Sequence, residues 1–590
     1  MSFKIEQAGR LLTLEFDGAL STSIVPLAFH GQEALSELYN YTVDVISDDM
    51  ALDPKKVLGH DVTVIVTLGE LKRRFTGIVT RFSPGLQWGR GYRAYQLEVV
   101  PKLWLATLNA RCRSFDNKSA LDIIESVLSE YGINSSTRGA GSTSRPVREY
   151  CLQYCESDYA FISRLLEEEG LFFYFPADHK NNSIVLVDGL NGSFEVTSKE
   201  LDFGPHEAIT AWSHDVRTVS KGVTFSGYDF KQAEVSAATV SATNVYSAGT
   251  NPVEFYPSNT MDTPRSQFFA DMRMQFLERD YETYGGASAH PGFAPGGRFK
   301  LKENEILASS DTLMLSMVRH QATCYTQVST DAAEADYSNS FGCVSLDTKF
   351  RPALRTPRPV IRGLQTAVVS SDPDEYGRVK VKFHWGDKVE SFWARVAMPW
   401  AHKQMGMQFL PRINSEVVVD FLEGNPERPI VVGAVYNGVN KPIYTLPANK
   451  TQSGIRGTDP DKTGAAEALN ELQFEDKSGE EFINFFAKKD FKRTVKNNDK
   501  LTVTQNRDVV IEQGNLSVKI NTGQSSTEAA QSIELKVGSN SLKIDQQGIS
   551  LNGMNIKIEG QVNTQVKGGA MTDVEASGQL TLKGAMTMIN

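Results

Sequence analysis

The stretch LKIDQQGISLNGMNIKIEG, residues 542–560, sets apolar residues in pairs two positions apart, Leu542/Ile544, Ile549/Leu551 and Ile556/Ile558, and repeats the pair every seven residues. A seven-residue apolar period also marks a coiled coil, but there the spacing within each repeat is three and four, and here it is two and five. On a helix, positions i and i+2 lie about 200° apart and share no seam, whereas on a strand they point to one face. The stretch therefore reads as short strands, with Gly548, Gly553, Gly560, Asn540, Asn552 and Asn555 supplying the turns. The pattern precedes it at Leu501/Val503, Val509/Ile511, Leu516/Val518 and Leu535/Val537, and follows it at Leu580/Leu582 and Met586/Met588. Such strands carry a one-sided apolar stripe and unpaired edges, both of which must be covered. One chain could coil alone as a β-helix with three seven-residue strands per rung, or three chains could wind about one axis as a triangular prism. The spacing alone leaves both open.

The rest of the chain sets the context for this repeat. At 590 residues, a prior of roughly 150 residues per domain gives about four domains. A formal net charge of -10 argues against nucleic acid as the main partner, because backbone binding needs a basic surface. The N-terminus interrupts its apolar residues with charges and glycines, so no signal-peptide core is expected, and no apolar run approaches the roughly 18 residues that span a bilayer. Five cysteines, Cys112, Cys151, Cys155, Cys324 and Cys343, form no disulfide framework and point to a reducing cytoplasm as the origin.

Residues 1–110 read as strand after strand, VTVIVTLG (62–69) among them as a buried one. Two helices follow. In SALDIIESVLSEYG (119–132), Ser119 and Asp122 approximate a capping box and Leu121, Ile124, Val127, Leu128 and Tyr131 form a stripe; SDYAFISRLLEEEG (157–170) ends at Gly170. A third helix is expected over roughly 264–283, within strands and loops that continue to about 350. KFRPALRTPRPVIRG (349–363), with three prolines and four arginines, reads as a linker. Five short strands over about 364–438 suit an OB-like barrel. Residues 439–490 read as an irregular connector, and the repeat fills 491–590.

Three motifs in this order, REYCLQYCESDYAFISRLLEEEGLFFYF (148–175), DEYGRVKVKFHWG (374–386) and GMQFLPRINSEVVVDFLEGNPERPIVVGAVYNG (406–438), resemble the VgrG family, the trimeric spikes of bacterial type VI secretion systems, which are related to contractile phage tail hubs and needles. Two departures are visible. Asn414 stands where the family has a glycine, and Asn is the next best residue for a left-handed turn; Cys155 stands where the family usually has arginine. The resemblance implies a mainly β protein with some α: a hub of two barrel-like domains over 1–350, a linker at 351–363, an OB-fold neck at 364–438, a connector at 439–490 and a trimeric β-helix or β-prism needle at 491–590. It decides for three chains, with Leu535, Val537, Leu542, Ile544, Ile549, Leu551, Ile556, Ile558, Leu580 and Leu582 turned into the needle core. The partners it implies are a homotrimer, the hexameric Hcp tube, a PAAR-repeat tip protein seated on Met586, Met588, Ile589 and Asn590, effector or adaptor proteins, and a target membrane on puncture. The expected course is bacterial cytoplasm before firing, then secretion without a signal peptide.

The residues that invite chemistry have plainer readings. Cys151 and Cys155 in CLQYC would share a strand face but lack a second ligand pair of zinc spacing, so buried thiols are expected. His320 with Cys324 stands alone. DPDEYG (372–377) imitates a calcium loop, but its twelfth position is Phe383, which cannot ligate, so a strand-leading turn is expected. Glu167, Glu168 and Glu169 are adjacent and cannot face one another across a substrate; they read as a solvated helix end. No catalytic, cofactor or metal residue is assigned, and the last histidine, His402, lies before the repeat. Inserted lysozyme or trailing toxin domains of relatives have no expected place in the chain, so toxicity would belong to cargo. The alternatives are a phage or tailocin baseplate hub, an envelope-degrading enzyme and a carbohydrate-binding adhesin, the last disfavoured by the missing secretory signal.

Overall fold

The computed structural model describes the chain except residues 1–5, 17–22, 89–90, 140–144, 146, 178–181, 190–191, 198, 244–245, 257–262, 303–311, 326–334, 348, 387, 460–468 and 590. The chain divides into two units, Met1–Asp490 and Phe491–Asn590.

The first unit is built on a 12-stranded sheet among the described residues. Its strands include β1 (Leu12–Phe16), β2 (Ile24–Ala34), β3 (Asn40–Ser47), β4 (Asp61–Leu68), β5 (Leu71–Trp88) and β6 (Tyr92–Val100). The alternation of LTLEF turns Leu12, Leu14 and Phe16 inward, each opposite an inward valine of β4: Val66, Val64 and Val62. Each such buried apolar side chain contributes about 1.5–3 kcal/mol. Strand β2 pairs antiparallel with a later strand, Ala28 with Thr323 through Ala34 with Met317, which fuses the early strands to a second set in one sheet. Two cores lie along it, one around Leu12, Phe29, Val64 and Phe75, the other around Phe293, Phe299, Leu315 and Phe341.

A buried ionic cluster pins the seam between the two sets. The Glu33 carboxylate accepts from Arg73 Nη2 at 3.0 Å on both oxygens, from the Tyr41 hydroxyl at 2.6 Å and from His320 Nε2 at 3.1 Å. With Nε2 donating, His320 Nδ1 accepts from the Tyr337 hydroxyl at 2.7 Å, which in turn accepts from the Asn339 amide. Burial alone would raise Glu33; Arg73, His320 and Tyr41 outweigh it and hold the carboxyl down to about 2, against an ordinary 4.5. Burial is also the main reason that His320 lies below its ordinary 6.5. Both groups take up more protons unfolded than folded, so each stabilises the fold above its ordinary pKa and loses that contribution as pH falls. Stability should therefore decline first below about pH 6.5, and again between about 4.5 and 2 with a loss of about 3 kcal/mol from Glu33. Denaturant midpoints measured against pH check this, and His320→Gln should flatten the limb near pH 6.

Helices α1 (Ala120–Glu130) and α2 (Asp158–Glu168) pack together over a third core. Ser119 and Asp122 make the reciprocal capping box, and Ala120, Ile123, Ile124, Val127 and Leu128 are buried with Leu121 and Tyr131 at the margin. Each helix is preceded by one strand of a two-stranded antiparallel ribbon, β7 (Arg111–Lys118) before α1 and β8 (Arg148–Glu156) before α2. Helix α3 (Thr263–Arg279) stops a turn short of its expected end, at Arg279, which ion-pairs with Asp280.

The five expected strands of the small barrel all form: β9 (Gln365–Val369), β10 (Val379–Phe383), β11 (Phe392–Val396), β12 (Glu416–Phe421) and β13 (Pro429–Val435), closed in the order β9–β10–β11–β13–β12. Val369, Val379, Val381, Phe383, Val417 and Val419 fill it. Asn414 takes φ 68°, the left-handed turn leading into β12, so the Asn-for-Gly departure keeps the turn. Asp374 accepts from the backbone N–H groups of Tyr376 and Arg378 and pairs with the Arg378 guanidinium. That is a strand-leading turn.

Two segments differ from their expectation. Residues 351–363 have no regular structure, yet they form a strap held at fixed points. Arg351 donates to Gly170 O and Asp188, Arg358 pairs with Glu168, and Ile361 is buried with its N–H on Gly424 O. Pro and Arg content favours extended backbone, but guanidinium groups also find carboxylates. The expected irregular connector holds a three-stranded antiparallel sheet, β14 (Gln452–Thr458), β15 (Leu469–Glu475) and β16 (Phe482–Phe486). Its QSGIRGT and LNELQFE runs alternate, but their glycines and polar residues hide the period.

Candidate functional site

In the second unit, a meander of β17 (Ser532–Val537), β18 (Asn540–Asp545) and β19 (Gly548–Asn552) takes in residues 542–552 of the opening stretch. Val537 pairs with Asn540 across the two-residue turn Gly538–Ser539, where Gly538 takes φ 56°, a conformation that a Cβ disfavours. The register places Leu535, Leu542 and Leu551 in one cross-strand row, and Ile533, Ile544 and Ile549 in the next. Directly opposed residues share a face, so six aliphatic side chains, with Val537 beside them, make one apolar ladder. Lys543 and Glu534, opposed to each other, take the other face.

Among the described residues this ladder is left largely uncovered, with only Ile533 and Leu542 half-buried. Leu535, Val537, Ile544, Ile549 and Leu551 are exposed by 41–80%, although they belong to the most buried residue types. Of the other expected core residues, Ile556, Ile558, Leu580 and Leu582 lie outside regular strands and are likewise exposed. Met586, Met588 and Ile589 are exposed by 79–86%, and Asn590 lies outside the described residues. Sequence reasoning missed Ile533, which alternates with Leu535 and Val537 in SIELKV. It also missed the exposed Phe482, Ile483, Phe485 and Phe486 of β16, an aromatic run that was the available signal. An exposed apolar ladder such as that of β17–β19 marks an assembly interface.

The groups that suggested chemistry are occupied structurally. The expected solvated helix end is a buried ionic junction, a correction with a clear cause. Glu168 Oε2 accepts from Arg148 Nη1 and Nη2 at 3.0 and 3.1 Å, and its Oε1 from Arg358 Nε at 2.9 Å. Glu169 takes Arg148 and Arg145, and Glu167 accepts the N–H groups of Arg355 and Thr356 on the strap. Arginines from distant segments cover these carboxylates, and their spacing from the helix is invisible in sequence. Burial opposes ionisation of Glu168, but Arg358, Arg148 and Arg164 hold it down to about 2. The CLQYC thiols also diverge: Cys151 is buried and Cys155 exposed, because a bulge near Cys155, at φ 48°, breaks the strand alternation. Among the described residues, no group of three His, Cys, Asp or Glu side chains could hold a metal ion, and no helix is long and apolar enough to cross a membrane.

The ribbon β7–β8 joins the large sheet's helices to the barrel. Tyr150 stacks on Phe392 with centroids 4.1 Å apart, Tyr154 meets Trp385 edge-on and its hydroxyl accepts from Gln365 Nε2 at 3.0 Å, and Glu427 accepts from the Leu152 N–H. Ser114 bonds the barrel loop at Lys388 and Glu390.

A large hub sheet, a closed five-stranded barrel docked on the β7–β8 ribbon and a one-sided strand repeat define the class of hub-and-spike proteins of contractile injection machines. Family models match in that order: the phage tail baseplate hub over residues 32–326, the type VI secretion system/phage-baseplate injector OB domain over 365–436, and the bacteriophage T4 gp5 C-terminal trimerisation domain over 453–588. The chain is 31% identical over 520 residues to the type VI secretion system spike protein VgrG1c of Pseudomonas aeruginosa, covering 84% of this chain and 71% of that one. It is 30% identical to the actin cross-linking toxin VgrG1 of Vibrio cholerae, over 85% of this chain but 48% of the toxin. A component of the E. coli type VI secretion system, described as structurally similar to the T4 tail proteins gp27 and gp5, superposes with TM-score 0.52 at 22% identity over 72% of this chain and all of its own. A chain of the lidded Francisella PdpA-VgrG complex superposes with TM-score 0.54 at 10% identity, over 92% of this chain and 79% of that one. The chain belongs to the VgrG family of type VI secretion system spike proteins. The trimerisation model begins at residue 453, so it takes in the β14–β16 sheet along with the repeat.

Proposed function

We propose that three copies of the chain form a spike at the tip of a type VI secretion tube, non-enzymatic in itself, which docks on the Hcp hexamer, carries a PAAR tip and effectors, and punctures a target envelope. Residues 1–350 serve as hub, 351–363 as strap, 364–438 as neck, 439–490 as connector and 491–590 as needle. The single observation that carries the reading is the exposed apolar ladder of β17–β19 inside a segment matching a trimerisation domain. Three such faces turned to one axis bury Leu535, Val537, Leu542, Ile544, Ile549 and Leu551 and pair the free strand edges. Ile556, Ile558, Leu580 and Leu582 continue the same core toward the tip. A strand of seven residues spans up to roughly 23 Å, suited to one side of a slender prism.

At the distal end, Met586, Met588 and Ile589, with Asn590, would give the trimer three exposed apolar ends, which suits capping by a PAAR-repeat protein. Pull-down of a PAAR protein by the full chain should be lost on deleting 582–590 while the trimer persists; retained capture would contradict the tip assignment. The phage descriptions of the hub and needle models favour one second reading, a tailocin baseplate hub. Co-purification with Hcp rather than with a phage tail tube distinguishes the two.

A further inference from the structure

The ribbon that joins the hub to the barrel ends in two thiols. Cys112 on β7 and Cys155 on β8 bring their sulfurs to 3.3 Å, although 43 positions separate them in the chain. The register explains the approach. Arg111 pairs with Glu156 and Arg113 with Gln153, so Cys112 alone faces the two residues Tyr154 and Cys155 across a bulge. Cys155 takes φ 48°, a left-handed conformation that costs a non-glycine residue about 1–2 kcal/mol, and that turn swings its side chain toward Cys112. Cross-strand neighbours in an antiparallel pair have Cα atoms about 4.5–5.5 Å apart, within the range that a disulfide bridges. The ribbon is also well fixed around the pair. Arg113 bonds Gln153 and Asp158, and Arg111 reaches Asp158 and Glu130, so closing the gap requires side-chain rotation rather than strand movement.

We propose that Cys112 and Cys155 are an oxidisable pair, a modification site whose disulfide clamps the ribbon between hub and barrel. Cys155 is exposed and Cys112 half-buried, so Cys155 is the sulfur that meets an oxidant. Burial and the contact with Cys155 push the Cys112 thiol up to about 11, which keeps it protonated until its partner is activated. With a hydroperoxide as oxidant, Cys155 sulfur attacks the O–O bond, releasing an alcohol (water from hydrogen peroxide) and leaving a sulfenic acid. Cys112 sulfur then displaces the hydroxyl, which leaves as water with the Cys112 proton. The two thiols together lose two electrons and two protons, and the peroxide is reduced by the same two.

The consequence is mechanical. The same ribbon touches the barrel through Ser114, Tyr150, Leu152 and Tyr154, so a covalent clamp stiffens the joint across which thrust would pass. The timing rests on the spike reading: reduced in the producing cytoplasm, closed after delivery into an oxidising compartment.

The test uses full-length protein purified in dithiothreitol, treated with hydrogen peroxide and digested without reductant. A peptide pair joined through Cys112 and Cys155, lighter by two hydrogens and separated again by dithiothreitol, is expected, and should vanish in Cys112→Ser and Cys155→Ser. The oxidised protein should melt about 3–6 °C higher than the reduced one. Since the main readout needs only the wild-type chain, a variant that folds poorly does not weaken it. Cys155 oxidised to sulfinic acid with Cys112 still open to alkylation, or Cys155 linked only between chains, overturns the site. Trapping the thiol state in producing cells and in the medium tests the timing. Reduced protein in the medium overturns the timing alone, and failure to reach the medium overturns the spike reading while the thiol pair stands on the peroxide result.

Discussion

Full-length protein carrying Leu542→Asp and Ile544→Asp should run as a monomer near 65.2 kDa, with its first unit still folded. Both side chains sit in the middle strand of the ladder, each in a row with neighbours on both sides. In a trimer every position occurs three times. Two positions in three copies, at about 1.5–3 kcal/mol of lost apolar burial each, remove roughly 9–18 kcal/mol per trimer. The aspartates add a second cost, because six carboxylates would crowd one dry axis where like charges cannot all ionise. Lys543→Ser, between the two sites but on the polar face, should leave the trimer intact. Light scattering distinguishes these outcomes, and the melting curve should show the needle transition disappearing while that of the hub remains. A trimer that survives the double substitution would mean that the apolar face is not its core.

Glu168→Ala should lower the stability of the first unit by about 3–5 kcal/mol, read as a shift of its denaturant midpoint. The carboxylate is 6% exposed and is shared by Arg148, Arg358 and the more distant Arg164. Removing it leaves buried guanidinium charge facing an apolar methyl group, with Glu169 and Glu156 as the remaining counter-charges. Arg358→Ala removes a partner whose side chain is 42% exposed, and should cost under about 1 kcal/mol. The pH dependence has a definite sign. Glu168 is held down to about 2 from an ordinary 4.5, so its contribution is complete above about pH 4.5 and lost as pH falls toward 2. Wild type and Glu168→Ala should therefore converge in stability near pH 2, and a constant gap across this range would contradict the ionic account.

The sequence made the strands legible wherever a two-residue period met turn residues. The barrel's five strands, the β1 and β4 pairs and the Leu542/Ile544 and Ile549/Leu551 rungs all show it. The α1 capping box was legible because its signal is local, Ser119 to Asp122. What sequence could not show is pairing at a distance. Glu33 with His320, Glu168 with Arg358 and Cys112 with Cys155 each join residues that only the fold brings together. The helix end at Glu168 and Glu169 misread as solvated for this reason: composition reports charge but not the arginines that cover it. Cys155 misread for a different one, since a single bulge reverses the face of every residue beyond it. The repeat beyond Asn552 shows the complementary limit. Its period is plain, yet Ile556, Ile558, Leu580 and Leu582 are exposed and outside regular strands in the single chain; in the proposed trimer their partner strands would belong to other copies.

The most direct test of the account is the mass of the full-length protein in solution, by multi-angle light scattering across a dilution series. The account predicts a single species at three times 65.2 kDa that persists on dilution. A stable monomer, with Leu535, Ile549 and Leu551 of the ladder still exposed to solvent, would contradict it.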